Sequence, residues 1–177
     1  MKSVKEIQKE SFKALKEKLG LSNVMQTPKL VKVVLSIGVG KVSDKKRKEF
    51  IGDRLSRIAG QKSAVRSAKK SIASFKVRQG DHVGFQVTLR GEKMFAFLDK
   101  LIHIALPRTK DFRGLKAGSI DGMGNATFGI KEHTIFPECA DEDIKDTFSF
   151  AFTIVTTSKK KEHTKAFLEL LGFPFSK

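Results

Sequence analysis

Cysteine occurs once in the 177 residues of this chain, at Cys139, and tryptophan and tyrosine do not occur at all. One thiol cannot close an internal disulfide or build a thiolate metal cluster, so the residues suit a reducing compartment and no metal site or cofactor is expected. Without Trp or Tyr, stacking on a flat ligand falls to Phe or Arg. No run approaches the roughly 20 apolar residues of a membrane span. Met1 to Gly20 is charged and amphipathic where a signal peptide would be apolar, so a soluble, cytoplasmic chain is expected. Acidic residues are missing from a long central stretch. Between Asp53 and Asp81 stand Arg54, Arg57, Lys62, Arg66, Lys69, Lys70, Lys76 and Arg78, with no carboxylate among them.

Crowded cations repel, and the relief comes from phosphates that give up condensed counterions on binding. The whole composition agrees, with 35 Lys+Arg against 19 Asp+Glu, a formal net charge of +16 and a pI near 10.0. Nucleic acid is the first partner to consider. An apolar content of 40% with 15 Phe can bury a core, so the chain reads as one folded domain over residues 1–177. Membrane adhesion would need a basic helix with an aromatic apolar face; here the cations are spread over every kind of segment, and no membrane partner is expected.

Val4, Ile7, Phe12, Leu15 and Leu19 recur at helical spacing and Gly20 follows, which predicts a first helix. From Val31 to Ile37, the residues Val31, Val33, Leu35 and Ile37 fall on one face of a strand, with Lys32 and Ser36 on the other beside Val34. Ser43 or Asp44 can cap a second helix carrying Ile51, Leu55, Ile58 and Ala59, with Gly60 as its stop. Its first turn holds Lys45, Lys46, Arg47 and Lys48 against the helix dipole, which reads either as a solvated charge run or as an anion-facing turn. His82 to Arg90 alternates, with Val83, Phe85, Val87 and Leu89 facing one way and His82, Gln86, Thr88 and Arg90 the other. A third helix bears Met94, Phe95, Leu98, Leu101, Ile102 and Ala105 and is expected to stop before Pro107. A long loop from Pro107 to Asn125, strands from Thr127 to Phe136 and from Phe150 to Thr157, and a final helix from about Lys160 to Leu171 complete the reading. Glu138, Asp141, Glu142, Asp143 and Asp146 form an acidic patch that reads as a solvated turn or as a surface for a basic protein.

Ile37-Gly38-Val39-Gly40-Lys41 follows a strand and precedes a helix, as a phosphate loop does, but Leu35 and Val42 stand where that motif needs Gly and Ser or Thr. His82, His103, His133 and His163 are scattered, and neither a nucleophile elbow nor a paired-carboxylate motif is present, so the chain reads as a non-enzyme. The fold class that emerges is α+β: one domain, a mainly antiparallel sheet with helices packed on one face, and an open face for RNA. That face shows Lys32, Ser36, Gln86, Thr88 and Arg90, groups able to bond phosphates, 2′-hydroxyls and bases. RNA, not DNA, is the expected partner. A phosphate-loop-like nucleotide-binding enzyme and a free RNA chaperone remain as alternatives.

Ordered blocks along nearly the whole chain resemble one family, the bacterial form of large-subunit ribosomal protein five. They include Asn23-Val24-Met25-Gln26-Thr27-Pro28-Lys29, Ile37-Gly38-Val39-Gly40, Ala59-Gly60-Gln61-Lys62, Ala68-Lys69-Lys70-Ser71-Ile72-Ala73 and Val87-Thr88-Leu89-Arg90-Gly91-Glu92. Leu106-Pro107-Arg108-Thr109-Lys110-Asp111-Phe112-Arg113-Gly114, Phe128-Gly129-Ile130-Lys131-Glu132 and Gly172-Phe173-Pro174-Phe175 continue the match. The resemblance implies a protein of the central protuberance that binds 5S rRNA, ties it to large-subunit rRNA and has no catalytic role. It implies RNA contacts by Ser36, Gln61 and Thr88, with Lys32, Lys62 and Arg90 alongside. Ser36 replaces the family's usual Asn. It further implies a loop toward peptidyl-site tRNA over about Ser71 to Gly84, with Ser71, Ser74, Phe75, Lys76, Arg78 and Gln79 as contacts, and an approach to a small-subunit head protein. Ser74 stands for a usual Gly, Met123 for a usual Arg, and Ala126 for a usual aromatic.

Overall fold

The computed structural model of the chain describes residues 2–42, 44–110, 112–139 and 147–176. Helix α1, Val4–Leu19, begins with a reciprocal cap in which the Ser3 hydroxyl accepts from the Glu6 amide and the Glu6 carboxylate from the Ser3 amide. It ends at Gly20, whose left-handed backbone, φ 62°, closes the last turn onto the Lys16 carbonyl. Helix α2, Lys45–Ala59, is capped by Asp44, which accepts from the Lys46 amide, and ends at Gly60. The Asp44 carboxylate offsets the four cations that follow it in the first turn. Ser43, the other cap considered, lies outside the described residues.

Strands β1, Leu30–Gly38, β2, Ala64–Ser67, β3, His82–Leu89, β4, Ala126–Ile130, and β5, Phe150–Thr156, form one antiparallel sheet in the order β2-β3-β1-β5-β4. Alternation sends Val33, Leu35, Ile37, Phe85, Val87, Leu89, Phe128, Phe150, Phe152 and Ile154 to one face, where all are buried. Each such side chain stabilises the fold by roughly 1.5–3 kcal/mol relative to exposure. Helices α1, α2, α3 (Gly91–Lys100) and α4 (Lys161–Leu170) contribute Leu15, Leu55, Leu98 and Phe167 to the same core. No helix among the described residues is long and apolar enough to cross a membrane.

Several expectations are corrected. Val31 is exposed because a β-bulge between Leu30 and Lys32 turns it outward and puts Leu30 in the core. The third helix passes Pro107: α3 continues through a π-helical turn, Leu101–Ala105, into a last turn, Leu106–Arg108. A proline ring collides with the carbonyl four residues back in a regular helix, and the widened turn relieves that collision. The strand expected to reach Phe136 stops at Ile130. Beyond it His133 is buried, its ring stacked 3.9 Å from that of Phe148 and its Nδ1 accepting from the Phe148 amide at 3.3 Å. The chain coils there in a 3-10 turn, His133–Ile135, which carries Ile135 inward. The acidic patch lies outside the described residues except for Glu138, which pairs with Lys100.

The loop that follows the third helix is built into the body of the protein. The Leu115 amide donates to the Pro174 carbonyl at 2.7 Å, tying it to the C-terminal segment. Asp121 accepts from the amides of Met123 and Asn125 and from the Asn125 side chain, and these bonds, the Asn125 amide first, hold its carboxyl below the ordinary range.

Candidate nucleic-acid interface

The alternate side chains of the strands line the face of the sheet opposite the core. Register places Ala64, Gln86, Ser36, Ala151 and Gly129 in one row across the five strands, and Thr88, Val34, Thr153 and Thr127 in the next. Lys32 and Val155 follow at one end; Arg66, Gly84 and Gly38 precede at the other. All of these residues except Gly84 are half-buried or exposed. None is a carboxylate and none is aromatic, so the face offers hydroxyls, amides, backbone and cations.

Lys32, Ser36 and Thr88 sit on this face as expected. Gln61 arrives from the connection between α2 and β2, and its amide Nε2 lies 3.5 Å from the Thr88 carbonyl, at the far limit of a hydrogen bond. Lys62 is exposed beside it, and Arg90 is exposed one residue beyond β3. Arg66 was not among the expected contacts; its Nε donates to Gln86 Oε1 at 2.7 Å. Thr127 and Thr153, with hydroxyls 3.0 Å apart, were also missed, although the alternation of Ala151, Thr153 and Val155 along β5 carried that signal. Lys48 Nζ donates to the His82 carbonyl, so the basic start of α2 stands beside the start of β3.

The connection runs over 68–81, three residues earlier than the expected Ser71 to Gly84, because β2 ends at Ser67 and 82–84 belong to β3. Gly84 supplies no turn: a Cβ there would lie 2.7 Å from the Ile37 carbonyl oxygen, so it is the close approach of β1 that needs glycine. The remaining hairpin, 68–81, is held by its own bonds. Ile72 and Val77 exchange backbone hydrogen bonds of 2.9 and 3.2 Å around a 3-10 turn, Ala73–Phe75, and Lys76 takes a left-handed backbone, φ 51°. The Ser71 hydroxyl accepts from the Gln79 amide and the Asp81 carboxylate from the Arg78 amide. Ser74, Phe75, Lys76, Arg78 and Gln79 all lie on the outside of the hairpin, Phe75 exposed to 74%.

Two family models cover this architecture, that of ribosomal protein L5 over residues 23–78 and that of the C-terminus of the same ribosomal family over residues 82–175. The chain belongs to the ribosomal protein L5 family. It is 50% identical to the large ribosomal subunit protein uL5 of Thermoanaerobacter sp. over 96% of each chain. It is 50% identical to that of Flavobacterium johnsoniae over 93% of this chain and 90% of the relative, and 48% identical to that of Campylobacter hominis over 100% and 99%. The first matched region supplies β1, α2 and β2, the second β3, β4 and β5, yet β3 lies between β2 and β1. Neither region can therefore complete its sheet without the other.

Proposed function

We propose that the chain is a structural constituent of the large ribosomal subunit that binds 5S rRNA with the open sheet face and attaches it to large-subunit rRNA in the central protuberance. Hairpin 68–81 contacts peptidyl-site tRNA, and a separate surface meets a small-subunit head protein. The observation that carries this reading is the half-exposed face itself, free of carboxylates and aromatics, in a member of the L5 family. Such a surface suits recognition of RNA by shape and backbone, with cations supplying affinity and hydroxyls and amides supplying fit. No specific observation favours the phosphate-loop enzyme or the free chaperone.

The test is binding of purified variants to 5S rRNA at fixed salt. Gln61→Ala and Thr88→Ala are each expected to weaken binding by roughly 1 kcal/mol or more, the value of a lost intermolecular hydrogen bond. Lys159→Ala serves as the neutral comparison. Equal affinities in all three variants would remove Gln61 and Thr88 from the interface. The hairpin is tested separately. Replacing Lys76 and Arg78 together with Ala is expected to leave 5S rRNA binding intact while tRNA retention at the peptidyl site falls, since neither side chain lies on the sheet face. Loss of 5S binding with unchanged tRNA retention would assign the hairpin to the other partner.

A further inference from the structure

We infer that the open face contains a seat for one unpaired nucleotide of 5S rRNA, built from Gln86, Ser36 and the shallow trough beside them. The inference rests on the proposed RNA-binding role of that face. Its first element is the orientation of Gln86. Arginine can only donate, so the 2.7 Å bond from Arg66 Nε must be received by the carbonyl oxygen of the Gln86 amide. The amide NH2 is thereby presented as a double donor, and it forms no hydrogen bond among the described residues. Ser36 is the register partner of Gln86, and its hydroxyl is likewise without a partner among the described residues.

The second element is space. The row continues from Ser36 to Ala151 and Gly129, and there the face sinks into an open trough of about 710 Å³, bordered by Ser36, Gly38, Gly129, Lys131, Ser149 and Ala151. That volume falls in the range of roughly 300–1,000 Å³ usual for small-ligand sites. A Cβ added at Gly38 or at Gly129 would meet nothing within 4 Å, in contrast to Gly84. Packing within the chain therefore does not demand glycine at those two positions. A strand glycine with room around it marks a place where something from outside comes close.

The third element is chemistry. A nucleobase is a flat ring with a polar edge, and sequence-specific RNA recognition works on unpaired bases. A base laid over Ala151 and Gly129 can point a carbonyl acceptor at the Gln86 amide and Ser36 hydroxyl, leaving its phosphate toward Lys131. No carboxylate lines the trough and Lys131 borders it, which favours a nucleotide over a peptide.

The experiment measures 5S rRNA affinity, the salt slope of binding, and base-by-base chemical reactivity of 5S rRNA with the wild type, Gly129→Val and Gln86→Leu. Gly129→Val fills the trough on a strand that accepts branched residues, so its thermal midpoint should match the wild type. Both variants are expected to bind about tenfold more weakly with an unchanged salt slope, as befits loss of fit without loss of charge. One unpaired nucleotide protected by the wild type should become reactive again in both. If Gly129→Val and Gln86→Leu bind and protect as the wild type does while Gln61→Ala still weakens binding, the seat is refuted and the face stands. If Gln61→Ala and Thr88→Ala are silent as well, the face reading fails and takes the seat with it.

Discussion

Raising monovalent salt from about 50 to about 200 mM is expected to weaken binding of this chain to 5S rRNA about a thousandfold. The cations available to phosphates include Lys32, Arg66 and Arg90 on or beside the sheet face, Lys62 next to Gln61, and Lys45, Lys46 and Arg47 exposed at the start of α2. If about six engage, a slope of roughly −0.7 to −0.9 per phosphate gives about −4 to −5 in log affinity against log salt, or close to three decades over a fourfold change. Binding isotherms at five or six salt concentrations read the slope directly. A magnitude below about 2 would mean that charge is a minor contributor, against the reading of the acid-free stretch. Lys62→Ala should reduce the slope by about 1.

Gly124→Ala is expected to destabilise the fold by about 4 kcal/mol or more, a large share of the roughly 5–15 kcal/mol that holds a domain together. Gly124 has φ +77°, a conformation that costs an L-residue roughly 1–2 kcal/mol. A Cβ there would lie 2.4 Å from the Ser158 carbonyl oxygen and 2.8 Å from Thr164 Oγ1. Both obstacles are fixed: Ser158 is buried and its amide donates to Thr156 Oγ1 at 3.2 Å, and Thr164 is buried with its hydroxyl donating to the Gly124 carbonyl at 3.0 Å. Moving them strands buried polar groups at about 1–3 kcal/mol each. Denaturant unfolding measures the loss. Gly129→Ala, where the added carbon has open space, is the control, and a Gly124→Ala variant within 1 kcal/mol of the wild type would overturn this account.

Elements whose partners are local were legible in the sequence. The four helices carry their apolar stripes within a few turns, α1 and α2 their caps as well, and β3 and β5 alternate cleanly. Strand β2 was missed because Ala64, Val65, Arg66 and Ser67 are all exposed and show no alternation; it exists through its pairing with β3. Val31 failed because a bulge is a property of two strands together. The proposed binding face divides along the same line: Lys32, Ser36 and Thr88 follow from alternation, whereas Gln61 lies 27 residues from Thr88 and meets it only through the packing of α2 on the sheet. Resemblance to the family placed it there; periodicity had no means to.

Among the described residues Lys76 is the one non-glycine with left-handed backbone. The strain sits at the tip of a hairpin with few apolar contacts, and the Ile72 and Val77 pair with the Ser71 to Gln79 bond opposes it. If the tip meets RNA as proposed, the partner would find it already closed by its own hydrogen bonds. Glycine at the same position would relax the backbone and widen the ensemble, exchanging a ready-made finger for a search.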